Sequence, residues 1–307
     1  MLFQNFLAFS ITFLAIAEIR ERLRSLKDLS IGKLSINING DVGEKEIVEK
    51  GRIAESSGVK VVWVGDFDFD PFLTAEILAR ETNLLIGFGV LSATKRDCEA
   101  IIQEIEELEL RFGNRFLIGV GAGEFKDPKE AVEKVIKCLE MLKPRKVFAG
   151  CSSPKITKLA SRIADGVLIN YVHPELVSNL ASFVENGMKI AYGPALLLPS
   201  EFEEDVTLAS AIVLKGVEKR FGIEINENLK KLVEMRRRGI SITNSGLFRM
   251  KEFLLERFAI TGNFEEVLTK IKQLLNVCDH VVLSDPFFRD PNSMKALKLL
   301  VRLCEAF

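Results

Sequence analysis

From Lys33 onward the chain alternates between two hydrophobic rhythms. Short apolar or β-branched runs predict eight strands: "KLSINI" (33–38), "VKVVWV" (59–64), "LLIGFGV" (84–90), "RFLIGV" (115–120), "KVFAG" (146–150), "GVLIN" (166–170), "KIAYG" (189–193) and "HVVLS" (280–284). Most are separated by segments with apolar residues at three- and four-residue spacing, such as "PFLTAEILARET" and "PKEAVEKVIKCLEMLK", which predict amphipathic helices. Continuously apolar strands followed by one-faced helices describe a parallel sheet covered on its outer side. The junctions agree. Asp70-Pro71, Asp127-Pro128, Ser153-Pro154, His173-Pro174 and Asp290-Pro291 each offer an N-cap residue followed by proline, whose missing N–H has no partner at a helix start anyway. Glu130, three residues after Asp127, suggests a capping box. Eight β/α units favour a closed TIM (β/α)8 barrel over an open doubly wound sheet. The seventh unit is swollen: 194–258 reads as a helical insertion over the mouth of the barrel. It has no alternating core of its own, so 31–307 reads as one domain.

The first thirty residues stand apart as an N-terminal apolar extension. "LFQNFLAFSITFLAIA" is interrupted by Gln4, Asn5, Ser10 and Thr12 and falls short of the roughly 20 apolar residues a spanning helix needs. "MLFQN" carries no charge, unlike the n-region of a signal peptide. The expectation is a helix packed against the domain or an upstream-extended start, with an interfacial anchor as the alternative. A net charge of −1 gives no electrostatic case for nucleic acid. Five scattered cysteines without C-x-x-C argue against a disulfide framework or a structural zinc and fit a cytoplasmic location; no metal is assigned.

In a barrel of this kind the site lies at the C-terminal ends of the strands. That rule collects Asp66, Asp68 and Asp70 after strand two, and Gly89-Val90 with Ser92 and Thr94 after strand three. It adds Gly121-Ala122-Gly123-Glu124 after strand four, Gly150-Cys151-Ser152-Ser153 after strand five, Asn170 and Tyr171 after strand six, and Ser284 and Asp285 after strand eight. "GVGAGE" removes Cβ atoms where backbone could approach a flat ligand, although a tight bend has the same composition. "GCSSPK" points hydroxyls and helix N–H groups at one place, as a phosphate seat does and as any capped helix does. Glu124 could act as a general acid raised by a dry pocket, or be an exposed loop acid. Asp66 could be catalytic or hold a salt bridge. His173 and His280 read as a helix cap and a strand start, Cys151 as a small filler and Trp63 as barrel packing.

These pieces, in this order over roughly residues 33–305, resemble the bacterial luciferase-like family, most closely its archaeal F420-dependent methylenetetrahydromethanopterin reductases. The stretches that carry the resemblance are "GRIAESSGVKVVWVGD", "IGFGV", "LIGVGAGE", "FAGCSSPKITKLASRIADGVLIN", "ITGNFEEVLTKIKQL" and "SDPFFRDPNSMKALKLL". The resemblance implies an oxidoreductase using coenzyme F420, or FMN as the alternative, on a small-molecule substrate such as a pterin. It implies a non-prolyl cis peptide at Gly89-Val90, a cofactor contact through Gly121, Ala122 and Gly123, and a phosphate held by Gly150, Cys151, Ser152 and Ser153. Glu124 and Asp66 become the catalytic candidates, and self-association through barrel helices is expected. Two departures stand out. Phe67 occupies the place where relatives commonly carry His, and the segment between strands four and five is short. An FMN monooxygenase shares the fold and the phosphate seat and stays open; the two departures favour a barrel that binds flavin or a partner protein without turnover, against which Glu124 and the glycine run argue.

Overall fold

A computed structural model describes residues 30–123 and 127–307; the apolar N-terminal run and Glu124 lie outside the described residues. From Gly32 to Phe307 the chain forms one unit. Its strands are β1 (Leu34–Asn37), β2 (Val61–Val64), β3 (Leu85–Ser92), β4 (Phe116–Gly121), β5 (Val147–Cys151), β6 (Gly166–Ile169), β7 (Met188–Leu197), β8 (Ile260–Gly262) and β9 (His280–Ser284). Strands β1 to β7 pair in sequence, all parallel, and β9 pairs with both β7 and β1, closing an eight-stranded TIM barrel. The helices outside it are α1 (Glu44–Ser56), α2 (Pro71–Glu81), α3 (Cys98–Phe112), α4 (Pro128–Leu142), α5 (Pro154–Ala160) and α6 (Pro174–Ala181), then α11 (Phe264–Leu275) and α12 (Pro291–Glu305). The predicted caps form at Asp70, Asp127 and Asp290, each accepting a backbone N–H of the first turn. Asp127 binds the Lys129 N–H; the reciprocal capping box occurs instead at Asn263 and Glu266 of α11.

Three expectations are corrected by the tertiary structure. Strand β7 runs past Pro194 to Leu197, and Ala195–Leu197 pairs with β8, a short ninth strand. Pro194 lacks an N–H and reads as a strand terminus, yet it keeps its place beside Ser284 of β9 while the ladder changes partner. The insertion therefore starts after the strand and carries α7 (Glu203–Lys215), α8 (Glu218–Phe221), α9 (Leu229–Arg237), a 3-10 turn (Gly246–Met250) and α10 (Lys251–Phe258). Cys98 and Cys138 are joined by a disulfide with Cα atoms 5.3 Å apart, linking the buried faces of α3 and α4. Forty residues separate them in sequence, and only the side-by-side packing of the two helices makes them neighbours. Among the described residues no helix is long and apolar enough to cross a membrane.

The barrel interior contains a polar chain that the apolar strand pattern conceals. Trp63 Nε1 donates to Ser35 Oγ at 3.1 Å, Ser35 Oγ lies 2.6 Å from His280 Nε2, and His280 Nδ1 lies 2.8 Å from the Gly32 carbonyl. A carbonyl only accepts, so Nδ1 carries the proton, Nε2 accepts from the Ser35 hydroxyl, and the imidazole is neutral. Burial lowers the His280 pKa to about 4. The unfolded chain protonates this imidazole near pH 6.5 and the folded chain only near 4. Its contribution to stability is thus complete above pH 6.5 and falls away as the pH drops toward 4, by about 3 kcal/mol. In urea unfolding across that window, His280→Gln is expected to flatten the stability curve relative to the parent. Equal slopes in the two proteins would mean that the imidazole is not held neutral.

Candidate functional site

The C-terminal mouth of the barrel has two chemically different sides. The first is built by β3, β4 and β5. Strand β3 loses register with β4 between Phe88 and Leu91, and the Gly89–Val90 peptide inside that irregularity is cis. The Val90 side chain is thereby laid across the two neighbouring strands. A Cβ built on Gly121 would stand 2.5 Å from Val90 Cγ2, and one on Gly150 would stand 3.1 Å from Val90 Cγ1. A side chain at Gly121 would force Val90 to shift and one at Gly150 would press on it, so Val90 covers both glycines and the three strand ends form one wall. Ala122 is half-buried next in line, and its carbonyl accepts from Thr94 Oγ1. Gly123 has φ of +70°, a conformation side chains disfavour, and faces Ser92 and Thr94.

Asp66 fastens the end of β2 to this wall. Its carboxylate accepts the Ser92 N–H at 2.9 Å and Arg96 Nη1 at 2.6 Å, with Lys95 Nζ 3.8 Å away. Only 1% of its side chain is exposed, and the Arg96 guanidinium also lies 5.5 Å from the Phe72 ring centroid. These bonds give Asp66 the geometry of a positioning group. Phe67 is exposed and contacts Phe69.

Beyond β5 the predicted phosphate seat divides. Cys151 is buried, and burial pushes its thiol up to about 12, outweighing a hydrogen bond with Thr157. It is a neutral filler whose side chain takes no part in the mouth. Ser152 and Ser153 are exposed, and the Ser153 side chain makes no cap bond to α5 although it stands at the N-cap. Tyr171 is buried beneath them and donates to the Ser152 carbonyl at 3.3 Å. Both serine hydroxyls thus face outward from a braced backbone.

The second side is formed by β7, β9 and β1, and sequence reasoning largely missed it. Tyr192 reaches inward from β7 to contact Trp63, with ring centroids 6.4 Å apart, and a Cβ on Gly89 would meet its ring edge at 2.8 Å. Trp63 in turn stands edge-on to Phe148 at 5.6 Å, so three aromatic rings form the floor of the mouth. At the rim, Arg289 Nε donates to Asp285 at 2.5 Å and its Nη2 donates to Asp41. Burial pushes the Asp285 carboxyl up to about 6 against the pull of Arg289. Burial and then the charge of Asp285 raise the Tyr192 phenol well above its ordinary value. The only sequence signal for Tyr192 is its inward parity on "KIAYG"; for Arg289 there is none, because its partners lie four and 248 residues away.

No protein-family model matches this chain. It is 24% identical over 310 residues to the 5,10-methylenetetrahydromethanopterin reductase of Methanolobus tindarius, covering 83% of this chain and 94% of that protein. Among solved structures, the coenzyme F420-dependent tetrahydromethanopterin reductase of Methanopyrus kandleri superposes with a TM-score of 0.67 at 19% identity, covering 89% of this chain and 98% of the other. An F420-dependent secondary alcohol dehydrogenase in complex with an F420-acetone adduct gives 0.68 at 11% identity over 90% of this chain and 99% of the other. The same fold holds FMN in a Baeyer-Villiger monooxygenase component.

Proposed function

We propose that this chain is a divergent member of the luciferase-like family, supported by its similarity to the reductases above, and an oxidoreductase moving hydride between a deazaflavin of the F420 type and a small electrophilic substrate. The observation that carries this reading is the wall made by the cis Gly89–Val90 turn, with Val90 seated over Gly121 and Gly150. A flat tricyclic ring needs a smooth surface without projecting side chains, and the wall offers one along Gly89, Val90, Gly121, Ala122 and Gly123. The cofactor phosphate is assigned to the Gly150–Ser153 turn, through backbone N–H groups and the outward hydroxyls of Ser152 and Ser153, with Cys151 contributing backbone only. A deazaflavin supplies the hydride chemistry; the protein positions, orients and excludes water.

Glu124, which follows Gly123 in sequence, is assigned the role of acid, and Asp66 that of holding the β2 and β3 ends in place. The electrophile proposed first is a pterin-bound one-carbon iminium. Reducing a preformed cation needs no strong base, which is compatible with Phe67 in place of an imidazole. Self-association through barrel helices and a cytoplasmic location belong to the same reading. FMN is the second reading, supported by the FMN-bound member of the same fold; it would use the same wall and seat.

Titrating the purified protein with F420 and, separately, with FMN tests the proposal. Saturable binding of F420 with FMN ignored is the expected result, the reverse favours the second reading, and binding of neither refutes both. Ser152→Asp is expected to weaken cofactor binding through like-charge repulsion with the phosphate. Equal affinity in that variant would place the phosphate elsewhere.

A further inference from the structure

The wall and the serine turn leave the β7–β9 side of the mouth without a role. We propose that Tyr192 is the fixed hydrogen-bond donor for a carbonyl oxygen of the substrate, and that the substrate is therefore a carbonyl compound or a heterocycle carrying a ring carbonyl. The inference rests on the reading above for the position of the cofactor, and on this chain's own geometry for the donor.

Strand β7 stands opposite β3 in the ring of eight, and the Tyr192 side chain crosses the lumen between them. Its hydroxyl ends beside the cis turn: a Cβ built on Gly89 would lie 3.2 Å from the Tyr192 oxygen. Gly89 thus gives this phenol the space that brings its O–H to the edge of the cofactor wall. The ring is fixed from one side by the edge of Trp63, whose own N–H is used by Ser35. Tyr192 as a whole is half-buried, and no hydrogen bond to its hydroxyl is found among the described residues. A hydroxyl without a protein partner at this place is a donor available to something that enters the mouth.

The neighbouring charges settle which way that hydroxyl acts. The register places Tyr192 beside Val282 and Pro194 beside Ser284, and Asp285, the next residue after β9, is near enough for its charge to act on the Tyr192 phenol. Asp285 shares Arg289 with Asp41, and the three together keep a negative excess near the phenol. Burial first, and that charge second, oppose tyrosinate formation, so the O–H stays protonated and can donate. A substrate carbonyl placed against it is polarised, and its partial negative charge is held by the phenol and not by the carboxylates.

The experiment uses the full chain without cofactor and cyclohexanone as the probe. The C=O stretching band of the bound ketone is read by infrared difference spectroscopy in the parent and in Tyr192→Phe. The parent is expected to show a band moved to lower frequency; in Tyr192→Phe that displacement disappears and affinity for the ketone falls up to about tenfold, the scale of one hydrogen bond. Incorporating 3,5-difluorotyrosine at position 192 keeps the shape while strengthening the donor, and is expected to move the band further in the same direction. No ketone binding to the parent, or the same band in parent and Tyr192→Phe, overturns the inference. F420 affinity is measured in parallel and is expected to be equal in parent and Tyr192→Phe. If the parent binds neither F420 nor FMN while the ketone band still depends on Tyr192, the oxidoreductase reading fails and the donor assignment stands. If F420 binds and the band does not depend on Tyr192, only the donor assignment fails.

Discussion

Asp66→Ala is expected to lower the free energy of unfolding by about 3 kcal/mol, the lower end of the range for breaking a buried pair from one side. The carboxylate is enclosed, while Arg96 retains about a quarter of its side-chain exposure and can recover some solvation. Removing the acid leaves the Arg96 guanidinium and the Ser92 N–H without their acceptor at once. Because Ser92 ends the irregular strand that carries Val90, the damage is expected to reach the wall as well, with weaker cofactor binding at temperatures where the variant remains folded. Asp66→Asn keeps an acceptor for Ser92 and loses only the charge pairing, so it should fall between parent and alanine. Urea unfolding of the three proteins checks the order. A loss below about 1 kcal/mol for alanine would make this an ordinary surface pair and remove its positioning role.

The second large effect concerns turnover. Under the proposed function, Glu124→Gln is expected to reduce turnover about 10²-fold while leaving F420 affinity nearly unchanged, because a lost general acid affects the reacting state more than the bound one. Single-turnover kinetics beside a cofactor titration separate the two quantities. Unchanged turnover would take the acid role from Glu124, and a parallel fall in affinity would make it a binding group instead.

Much of the fold was legible because each barrel unit is a local event. "VKVVWV" is apolar on both faces, as a strand inside a covered parallel sheet must be, and "DP" at 70–71, 127–128 and 290–291 marks a helix start from two adjacent residues. The cis turn and its glycine neighbours were legible through the resemblance, since "IGFGV" and "LIGVGAGE" stand in the family's order. Composition left a ligand reason and a local one open for Gly121 and Gly150, whereas the structure shows Val90 packed over both, most tightly at Gly121. The end of β7 was hidden by Pro194, and the Cys98–Cys138 bond by forty intervening residues.

The amino-acid sequence by itself determined the succession of strands and helices, the closure into eight units and the side of the barrel on which the mouth opens. Periodicity, caps and prolines act within a few residues, and the crossover rule for parallel strands then leaves few arrangements. The tertiary structure alone decided what each mouth residue touches: Asp66 bound to Arg96, Cys151 buried against Thr157 of α5, Tyr192 laid against Gly89, and Arg289 shared by Asp285 and Asp41. Those contacts join strands far apart in the chain, and their strength depends on burial and orientation that only closure of the ring creates.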